Sequence, residues 1–494
     1  MPLVSASPDQ RSRPAGPDLP SIAARAGESP WGEATGAFPV PAGLDPKLEQ
    51  FLHQASSQLC RWLGDTDRHG PLPGLSVLPQ VEPESGGLDS DRLLADVQLL
   101  MEGAFHPNHP GALAHLDPPP LSASIVGDLI CAGLNNNLLA EELSPSLSHL
   151  ERSLCAWLAE RLGLPPGSGG VPASGGSLSN LMALVVARRR RGLDSCGTAV
   201  VICSADAHVS LVKAMAVMGL PEGALIRIPV DGRGRLDPEI LSATLLSLEA
   251  RGIPVIAVVA TAGTTVRGAV DPLTAMARLC RRHGQWLHID GAIGAVVALS
   301  EGHRHRVTGL ELADSLTINP QKLLGVTKTS SLLLLADPQA LSDAFSTGLP
   351  YMEPSWGGGH GGETGLQGTR PAEILKLWLG LRQLGLGGIH QLIDGAISRR
   401  RRLEGLLSGD PRVLLCSGPL HLLAFRPLEC DAETCDSWSD RCRQRLLDQQ
   451  LMLSRPVYQG HHHLKAVLGN PHTLDHHLEA LALAVLADLP GAAG

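Results

Sequence analysis

The sequence lacks the features of a nucleic-acid-binding, membrane-spanning or secreted protein. Its formal net charge of -9 at pH 7 argues against a nucleic-acid interface, because phosphate binding needs clustered Lys and Arg. Its longest apolar runs, such as residues 255–260, have the length of a strand, far below the roughly 20 residues of a membrane span. The ten cysteines form no Cys-x-x-Cys pair, and the N-terminus shows no charged-then-apolar signal. We therefore expect a soluble, cytoplasmic protein.

The length and patterning predict several packed units in an α/β chain. A chain of 494 residues with 43% hydrophobic content can bury a large core. We predict a flexible arm over residues 1–40, whose Pro, Gly, Ser and Ala show no period. Helical spacing predicts an N-terminal helical segment over 41–105 that packs on a partner subunit. A large domain follows over 106–370, and a linking helix with a smaller α+β domain over 371–494.

Short apolar runs alternate with helical stretches in the middle of the chain. This alternation is typical of a mostly parallel sheet that is buried on both faces. Functional side chains of such sheets lie at the carboxyl ends of the strands. The predicted strands cover residues 199–203, 255–260, 286–290, 315–318 and 331–335.

Lysine is scarce, and one lysine stands at such a strand end. Lys322 follows the predicted strand 315–318 in an Asn-Pro turn. A lysine amine that is kept neutral by desolvation can form an imine with an aldehyde; the alternative is a solvated loop lysine. The six lysines are Lys47, Lys213, Lys322, Lys328, Lys376 and Lys465.

Asp290 ends another predicted strand. A buried carboxylate is costly unless it is paired with a cation, and the protonated pyridine nitrogen of pyridoxal-5'-phosphate (PLP) would be such a cation. The alternative is a carboxylate that caps the next turn. His288, in the same strand, is interpreted as a satisfied core histidine.

Three further segments suit the same cofactor. The glycine-rich residues 173–180 run into a helix, and backbone N–H groups at such a helix start can hold a phosphate, although an ordinary N-cap is the alternative. His208 follows the strand 199–203 and could stack on a ring or move a proton. Residues 261–265 (TAGTT) offer hydroxyls at the same sheet edge, or form only a strand-end turn.

These segments occur in an order that resembles the group II PLP-dependent decarboxylases, the family of glutamate, cysteine-sulfinate, aromatic-amino-acid and diaminobutyrate decarboxylases. The motifs are SGGSLSNL, DAHVSLVKA, TAGTT, HIDGAIG and NPQKLLG. The resemblance runs from about residue 106 to 378 and weakly over 464–471. It implies a PLP-dependent transferase fold of the aspartate-aminotransferase type, in a homodimer with the active site at the subunit interface.

The resemblance also implies a reaction and a set of roles. The reaction is decarboxylation of an L-amino acid to an amine and CO2, so the protein would be a lyase. Lys322 would carry PLP, Asp290 would pair with its pyridine nitrogen and His208 would stack on the ring. The remaining contacts would be Gly176, Ser177, Asn319 and Gln321 at the phosphate, and Thr261 and Ala292 at the ring.

Three positions depart from that family. Gln321 stands where relatives have His, and Lys465 where they have Arg. Residues 356–362 lack the loop tyrosine that usually returns a proton to Cα; Tyr351 lies before this stretch. On chemical grounds His360 is the predicted substitute, carried on a glycine-rich lid. A loop with an incidental histidine is the alternative.

The substrate is predicted from residues 114–120 and 366–378, which look more like the diaminobutyrate enzymes. His115 would meet the substrate. The expected order is L-2,4-diaminobutyrate, then glutamate or aspartate, then aromatic amino acids. An aldehyde synthase or other PLP lyase is the main alternative, followed by a non-catalytic PLP-binding protein. We predict no metal site, since the three adjacent histidines 461–463 cannot all face one ion and suit a solvated loop.

Overall fold

The computed structural model of the chain describes residues 36–75, 77–348 and 359–490. The predicted flexible arm therefore lies almost entirely outside the described residues. The chain divides into two compact units: helices α1 (Pro46–Gly64) and α2 (Ser90–Glu102) belong to the first, and all later elements belong to the second. Within the described ranges, no helix is both long and apolar enough to cross a bilayer.

Helices α1 and α2 pair with each other through a polar contact. Gln58 of α1 donates from Nε2 to the Leu94 carbonyl of α2 over 3.0 Å. Neither helix contains a fully buried residue, and Leu48, Leu52 and Leu93 are exposed. The two helices thus have apolar surface that their own unit does not bury.

The second unit is built on a seven-stranded sheet with the order β1-β7-β6-β5-β4-β2-β3. The five strands from β6 to β3 run parallel to one another, whereas β7 is antiparallel to both of its neighbours. This confirms the predicted mostly parallel sheet. The strands are β1 (Gly169–Ala173), β2 (Val200–Ser204), β3 (Leu225–Ile228), β4 (Val255–Thr261), β5 (Leu287–Gly291), β6 (Ser315–Ile318) and β7 (Ser331–Leu335).

Helices cover the sheet, and strands β2, β4 and β5 are buried along their whole length. Burial on both faces explains why these strands read as continuous apolar runs in the sequence. The helices of this part of the chain are α3 (Ser122–Leu134), α4 (Pro145–Arg161), α5 (Gly176–Arg190), α6 (Ser210–Val217), α7 (Pro238–Ala250), α8 (Leu273–Arg282) and α9 (Gln339–Phe345), of which α4, α5, α6 and α8 contact the strands.

The register of the central strands brings polar residues into one row. Thr261 of β4 pairs with Asp290 of β5, which pairs with Thr317 of β6. These three strands are parallel, so the segments that follow them emerge at the same edge of the sheet. Lys322 follows β6 in the short 3-10 turn Pro320–Lys322 and lies at this edge.

The C-terminal part begins with the long helix α10 (Ile374–Leu407), which is interrupted at Gly385. Its own hydrophobic cluster includes Phe425, Trp438 and Leu478, although it shares one compact unit with the large sheet. Its antiparallel sheet has the order β12-β9-β8. The elements are β8 (Val413–Ser417), β9 (Leu422–Pro427), α11 (Ala432–Asp448), β10 (Val457–Tyr458), β11 (His461–His462), β12 (Leu464–Val467) and α12 (Asp475–Ala487).

The structure corrects the interpretation of the three adjacent histidines as a solvated loop. His461 and His462 form β11, which pairs with β10, and His463 is buried with its Nδ1 bonded to the His461 carbonyl oxygen over 3.0 Å. Alternation along the hairpin therefore turns one of the three side chains inward. Close by in sequence, Cys430 and Cys435 form a disulfide, which the scattered cysteines did not indicate.

Candidate active site

A cavity of about 200 Å³ lies at the carboxyl edge of β4, β5 and β6. All nine residues that the resemblance implies as PLP contacts line it, and Asn180 of α5, residues 263–265 and Ile293 complete its wall. The lining is Gly176, Ser177, Asn180, His208, Thr261, Gly263, Thr264, Thr265, Asp290, Ala292, Ile293, Asn319, Gln321 and Lys322.

Lys322 is held in a setting that favours its neutral amine. Burial lowers the pKa of Lys322, while the carboxylates of Asp290 and Asp117 oppose the shift. A lowered pKa increases the fraction of free amine at neutral pH, and the free amine is the form that attacks an aldehyde.

Asp290 is a buried carboxylate whose hydrogen-bond donors are neutral. Its side chain is only 7% exposed; Oδ2 accepts from Asn180 Nδ2 over 2.8 Å and Oδ1 from the Ala292 N–H over 3.1 Å. Asp290 forms no ion pair with any side chain in the described ranges. A buried carboxylate in this state is stabilised by an added cation, which the protonated pyridine nitrogen of PLP would supply.

Asn180 lines the cavity and bonds to Asp290, although the motif analysis assigned it no role. Its Oδ1 accepts from Thr317 Oγ1 over 2.8 Å and lies 3.1 Å from Nε2 of His288. The second His288 nitrogen lies 2.9 Å from Ser315 Oγ, and burial lowers the pKa of His288 to about 4. His288 is therefore the satisfied core histidine that was predicted, and it fixes the Asn180 amide so that Nδ2 faces Asp290.

The start of α5 forms one wall of the cavity, as the predicted phosphate cup requires. Gly175, with φ of 98°, precedes the helix, and no side chain caps its first N–H groups. A Cβ at Gly176 would lie 3.0 Å from Asn319 Nδ2, so a side chain there would crowd the site. An uncapped helix start of this kind attracts an anion.

Two amide side chains on the facing wall have their oxygens engaged. Ser331 Oγ donates to Asn319 Oδ1 over 2.6 Å, and the Ser330 N–H donates to Gln321 Oε1 over 2.6 Å. Neither amide nitrogen donates to a described residue, which leaves both NH2 groups as donors for an anion. Gln321, at the position expected to be His in the family, can therefore still donate a hydrogen bond to a phosphate.

His208 and Thr261, the residues expected beside the cofactor ring, also line the cavity. The Ser210 N–H donates to His208 Nδ1 over 3.2 Å, and burial lowers the pKa of His208, so the imidazole is predominantly neutral. The Thr261 hydroxyl is buried and has no hydrogen-bond partner within the described residues. An orphaned hydroxyl beside Asp290, together with the donors described above, fits a polar aromatic cofactor such as PLP.

Lys465 adds a second buried amine that was noted in the sequence only as a departure from Arg. It lies on β12, is 6% exposed, and donates from Nζ to the carbonyl of the cavity residue Thr265 over 3.4 Å. Burial and the charge of Lys322 lower the pKa of Lys465 to about 8. Its position next to the cavity could be found only from the fold, since β12 is far from Lys322 in sequence.

Two predicted site residues do not line the cavity. His115 lies outside it, near the charges of Lys465 and Asp117. His360 lines a different cavity of about 290 Å³ together with Glu151, and is only 8% exposed. Within one chain the structure therefore does not bring His360 to Lys322. Of the predicted lid over residues 356–362, residues 356–358 lie outside the described ranges, whereas residues 359–362 are described.

Comparison with known proteins identifies the family. Residues 79–426 match the family model described as the pyridoxal-dependent decarboxylase conserved domain, which is more than half of the chain. This chain belongs to the pyridoxal-dependent decarboxylases. The resemblance drawn from the five motifs is thereby confirmed, and so are PLP as cofactor and amino-acid decarboxylation as the reaction. The enzyme is a PLP-dependent carboxy-lyase.

Relatives and solved structures agree with this family. The L-2,4-diaminobutyrate decarboxylase of Rhizobium meliloti is 31% identical over 410 residues, covering 81% of each chain. The aromatic-L-amino-acid decarboxylase of Bacillus atrophaeus is 33% identical over 360 residues, covering 72% of this chain and 75% of the relative. The crystal structure of mouse CSAD superposes with a TM-score of 0.83 at 25% identity, covering 90% of this chain and 99% of that one. The predicted PLP-transferase fold is confirmed.

Proposed function

We propose that Lys322 carries the cofactor and that Asp290 holds its pyridine nitrogen protonated. The observation that carries this assignment is that the partly neutral amine and the unpaired buried carboxylate line one cavity. Gly176, Ser177 and the NH2 groups of Asn319 and Gln321 would hold the phosphate. His208 would cover the ring, while Thr261 and Ala292 would line its edge.

When bound, PLP accepts the electrons that the breaking Cα–carboxylate bond releases. The chain's own residues orient the reacting groups and keep charges in place. Asn180 holds the Asp290 carboxylate in one orientation, and Lys322 or His208 can deliver a proton, because both line the cavity. Such preorganisation lowers the barrier without any rearrangement during the reaction.

We propose L-2,4-diaminobutyrate as the preferred substrate. The diaminobutyrate decarboxylase of Rhizobium meliloti shares 81% coverage in both directions, and residues 114–120 support the same choice. A side-chain ammonium needs an anion near the cavity, and Asp117 is available because its carboxylate acts electrostatically on Lys322. Asp117 now pairs with Lys328 over 2.9 Å in a partly exposed contact, which a substrate ammonium could replace at little cost.

An acidic amino acid is the second candidate, and Lys465 is the observation that favours it. A buried ammonium beside Thr265 would attract a substrate carboxylate. It would repel the side-chain ammonium of diaminobutyrate. The two candidates therefore assign the substrate's side chain to opposite charges, at Asp117 or at Lys465.

A paired substitution experiment separates these candidates. Diaminobutyrate, aspartate, glutamate and aromatic amino acids are assayed for CO2 and amine with the wild type, Asp117→Asn and Lys465→Gln. If diaminobutyrate is the substrate, Asp117→Asn raises its KM by roughly tenfold, the value of one charge-assisted contact. If Asp117→Asn leaves that KM unchanged while Lys465→Gln raises the KM of an acidic substrate, the diaminobutyrate proposal fails.

We also propose a cytoplasmic homodimer with the active site at the subunit interface. The exposed apolar residues of α1 and α2, such as Leu52 and Leu93, support a partner surface. Eight of the ten cysteines are free, which supports a reducing compartment, whereas the Cys430–Cys435 disulfide argues against one. Sedimentation of the full chain tests the assembly: Leu52→Glu with Leu93→Glu is expected to yield monomers, whereas exposed Glu49→Gln is not. A monomeric wild type contradicts the proposal.

A further inference from the structure

A wide cavity of about 790 Å³ lies apart from the Lys322 site and shares no lining residue with it. Four segments of the chain form its wall. They are residues 233–235, residues 269–278 through the start of α8, residues 305–308, and residues 417–419 at the end of β8. Its volume falls within the roughly 300–1,000 Å³ that small-molecule sites occupy.

The cavity is strongly cationic although the whole chain carries a net charge of -9. Asp271 is the one carboxylate in its lining. Both Asp271 oxygens already accept backbone N–H groups, from Leu236 over 2.7 Å and from Thr261 over 2.8 Å. The cationic side chains in the lining are Arg233, Arg235, Arg278 and Arg306.

Most of this positive charge has no anionic partner. Arg235 pairs with Asp231, with an N–O distance of 2.7 Å. Arg306 donates only to neutral acceptors, the Pro419 carbonyl over 3.0 Å and His303 Nδ1 over 3.2 Å. Arg233 and Arg278 make no side-chain hydrogen bond or ion pair with a described residue. Three guanidinium groups from three segments therefore face one cavity, and none of them is bonded to a carboxylate of the described residues; Asp271, the one carboxylate in the lining, bonds to backbone N–H groups instead.

Two further features strengthen the positive field. The neighbouring charges of Arg401 and Arg400 add to the positive field at Arg306, whose pKa is lowered first by burial and then by these two charges. Helix α8 begins in the cavity wall at Leu273, and no side chain caps its first N–H groups. The N–H groups of Leu273, Ala275 and Met276 already donate to the Asp271 and Pro272 carbonyls, which leaves the Thr274 N–H without a partner among the described residues. An anion would relieve the repulsion among the arginines and accept from the Thr274 N–H.

We infer that this cavity binds a small anion with two or more negative charges, of the phosphorylated or polycarboxylate class. Guanidinium groups match such ligands because each can donate two parallel hydrogen bonds to phosphate or carboxylate oxygens. The ligand would touch α8 and the 417–419 turn at once. Its binding would thus join the large sheet's helical layer to the C-terminal part of the chain.

The test uses full-length enzyme saturated with PLP, so that the phosphate cup at Gly176 is already filled. Pyrophosphate and citrate are titrated separately by calorimetry at constant ionic strength, with chloride as the monovalent control. We expect saturable binding of one anion per chain. Tighter binding of pyrophosphate indicates a phosphorylated ligand, and tighter binding of citrate indicates a polycarboxylate. The double variant Arg233→Gln/Arg278→Gln should weaken that binding by roughly tenfold or more.

The matched control is Arg251→Gln, which removes an exposed arginine at the end of α7 that lies outside the cavity. It should bind the anion like the wild type. Because Arg233 and Arg278 are exposed and have no described partner, the double variant should keep the wild-type melting temperature without anion. The inference is overturned if neither probe binds saturably, or if the double variant and Arg251→Gln retain equal affinity.

Discussion

Asn180 donates a 2.8 Å hydrogen bond from Nδ2 to the Asp290 carboxylate. A 180° flip of the Asn180 amide would break its hydrogen bonds, because Thr317 donates to Oδ1 and His288 lies 3.1 Å from the same atom. Asn180 is 1% exposed, so water cannot replace these partners. A residue on α5 therefore sets the orientation of the carboxylate on β5.

The first prediction concerns this positioning role. Asn180→Ala should lower kcat by roughly 10- to 100-fold and weaken PLP binding, since leaving buried groups unsatisfied costs about 1–3 kcal/mol. Asn470→Ala is the matched control, because Asn470 is also buried but bonds to the His109 carbonyl instead. The positioning role is rejected if both variants lose stability equally and neither loses turnover per folded, PLP-loaded enzyme.

The second prediction identifies the cofactor lysine. Borohydride reduction of the PLP-loaded wild type followed by peptide mass spectrometry should place the cofactor on Lys322, and Lys322→Ala should show no such label. Lys213→Ala serves as the control, since Lys213 lies on α6 outside the cavity lining. A label on Lys465, the other amine beside the cavity, would contradict the assignment.

The third prediction concerns the charge of Asp290. Asp290→Asn preserves the shape and the bond to Ala292, but it removes the negative charge and turns an NH2 group toward Asn180 Nδ2, which is also a donor. Turnover should therefore fall by roughly two orders of magnitude or more. Steady-state kinetics at saturating PLP measures this loss. Turnover within a few-fold of the wild type would mean that Asp290 acts only as a cap for the following turn.

The central strands and the cavity residues that follow them could be predicted from the sequence better than the other elements of the fold. The central strands are continuous apolar runs, so β6 and β7 were placed at their observed bounds, and the residues that follow each strand could be assigned to one sheet edge. Strand β1 was missed because Gly169, Gly170 and Pro172 are poor strand formers. Strand β3 was missed because its four residues are too few to show an apolar or alternating pattern.

The missed site features arise from contacts between distant segments. Lys465 reaches Thr265 only because β12 packs beside the large sheet, and no periodicity signals such a contact. Asn180 was visible within SGGSLSNL, but its partner Asp290 lies on another element. The buried position of His360 was equally hidden, because a glycine-rich stretch is typical of an exposed loop.

The fourth prediction follows from the lowered pKa of Lys465, about 8. Lys465 carries its charge below this pH and loses it as the pH rises through about 8, so a carboxylate ligand should bind more weakly above that pH. The inhibition constant of L-aspartate, measured from pH 6.5 to 9.5, should rise by roughly tenfold in the wild type. Lys465→Arg should move this rise upward, and Lys465→Gln should remove it. Identical profiles for all three proteins would exclude Lys465 from carboxylate binding.

The last prediction concerns the proton that must reach Cα after CO2 leaves. His208 lines the Lys322 cavity, whereas His360 lies in another cavity with both ring nitrogens buried and unbonded among the described residues. General acids typically contribute about 10²–10⁴-fold, so the side chain that delivers the proton should alter the product ratio when it is replaced. On the geometry of one chain, His208→Gln should raise the share of aldehyde relative to amine, while His360→Gln should leave the ratio unchanged.

CO2, amine and aldehyde are measured together in the wild type and both variants. The opposite result, a changed ratio in His360→Gln alone, would show that residues around His360 move to the site or reach it from a partner subunit. A wild type that forms mainly aldehyde would instead show that neither histidine protonates Cα efficiently.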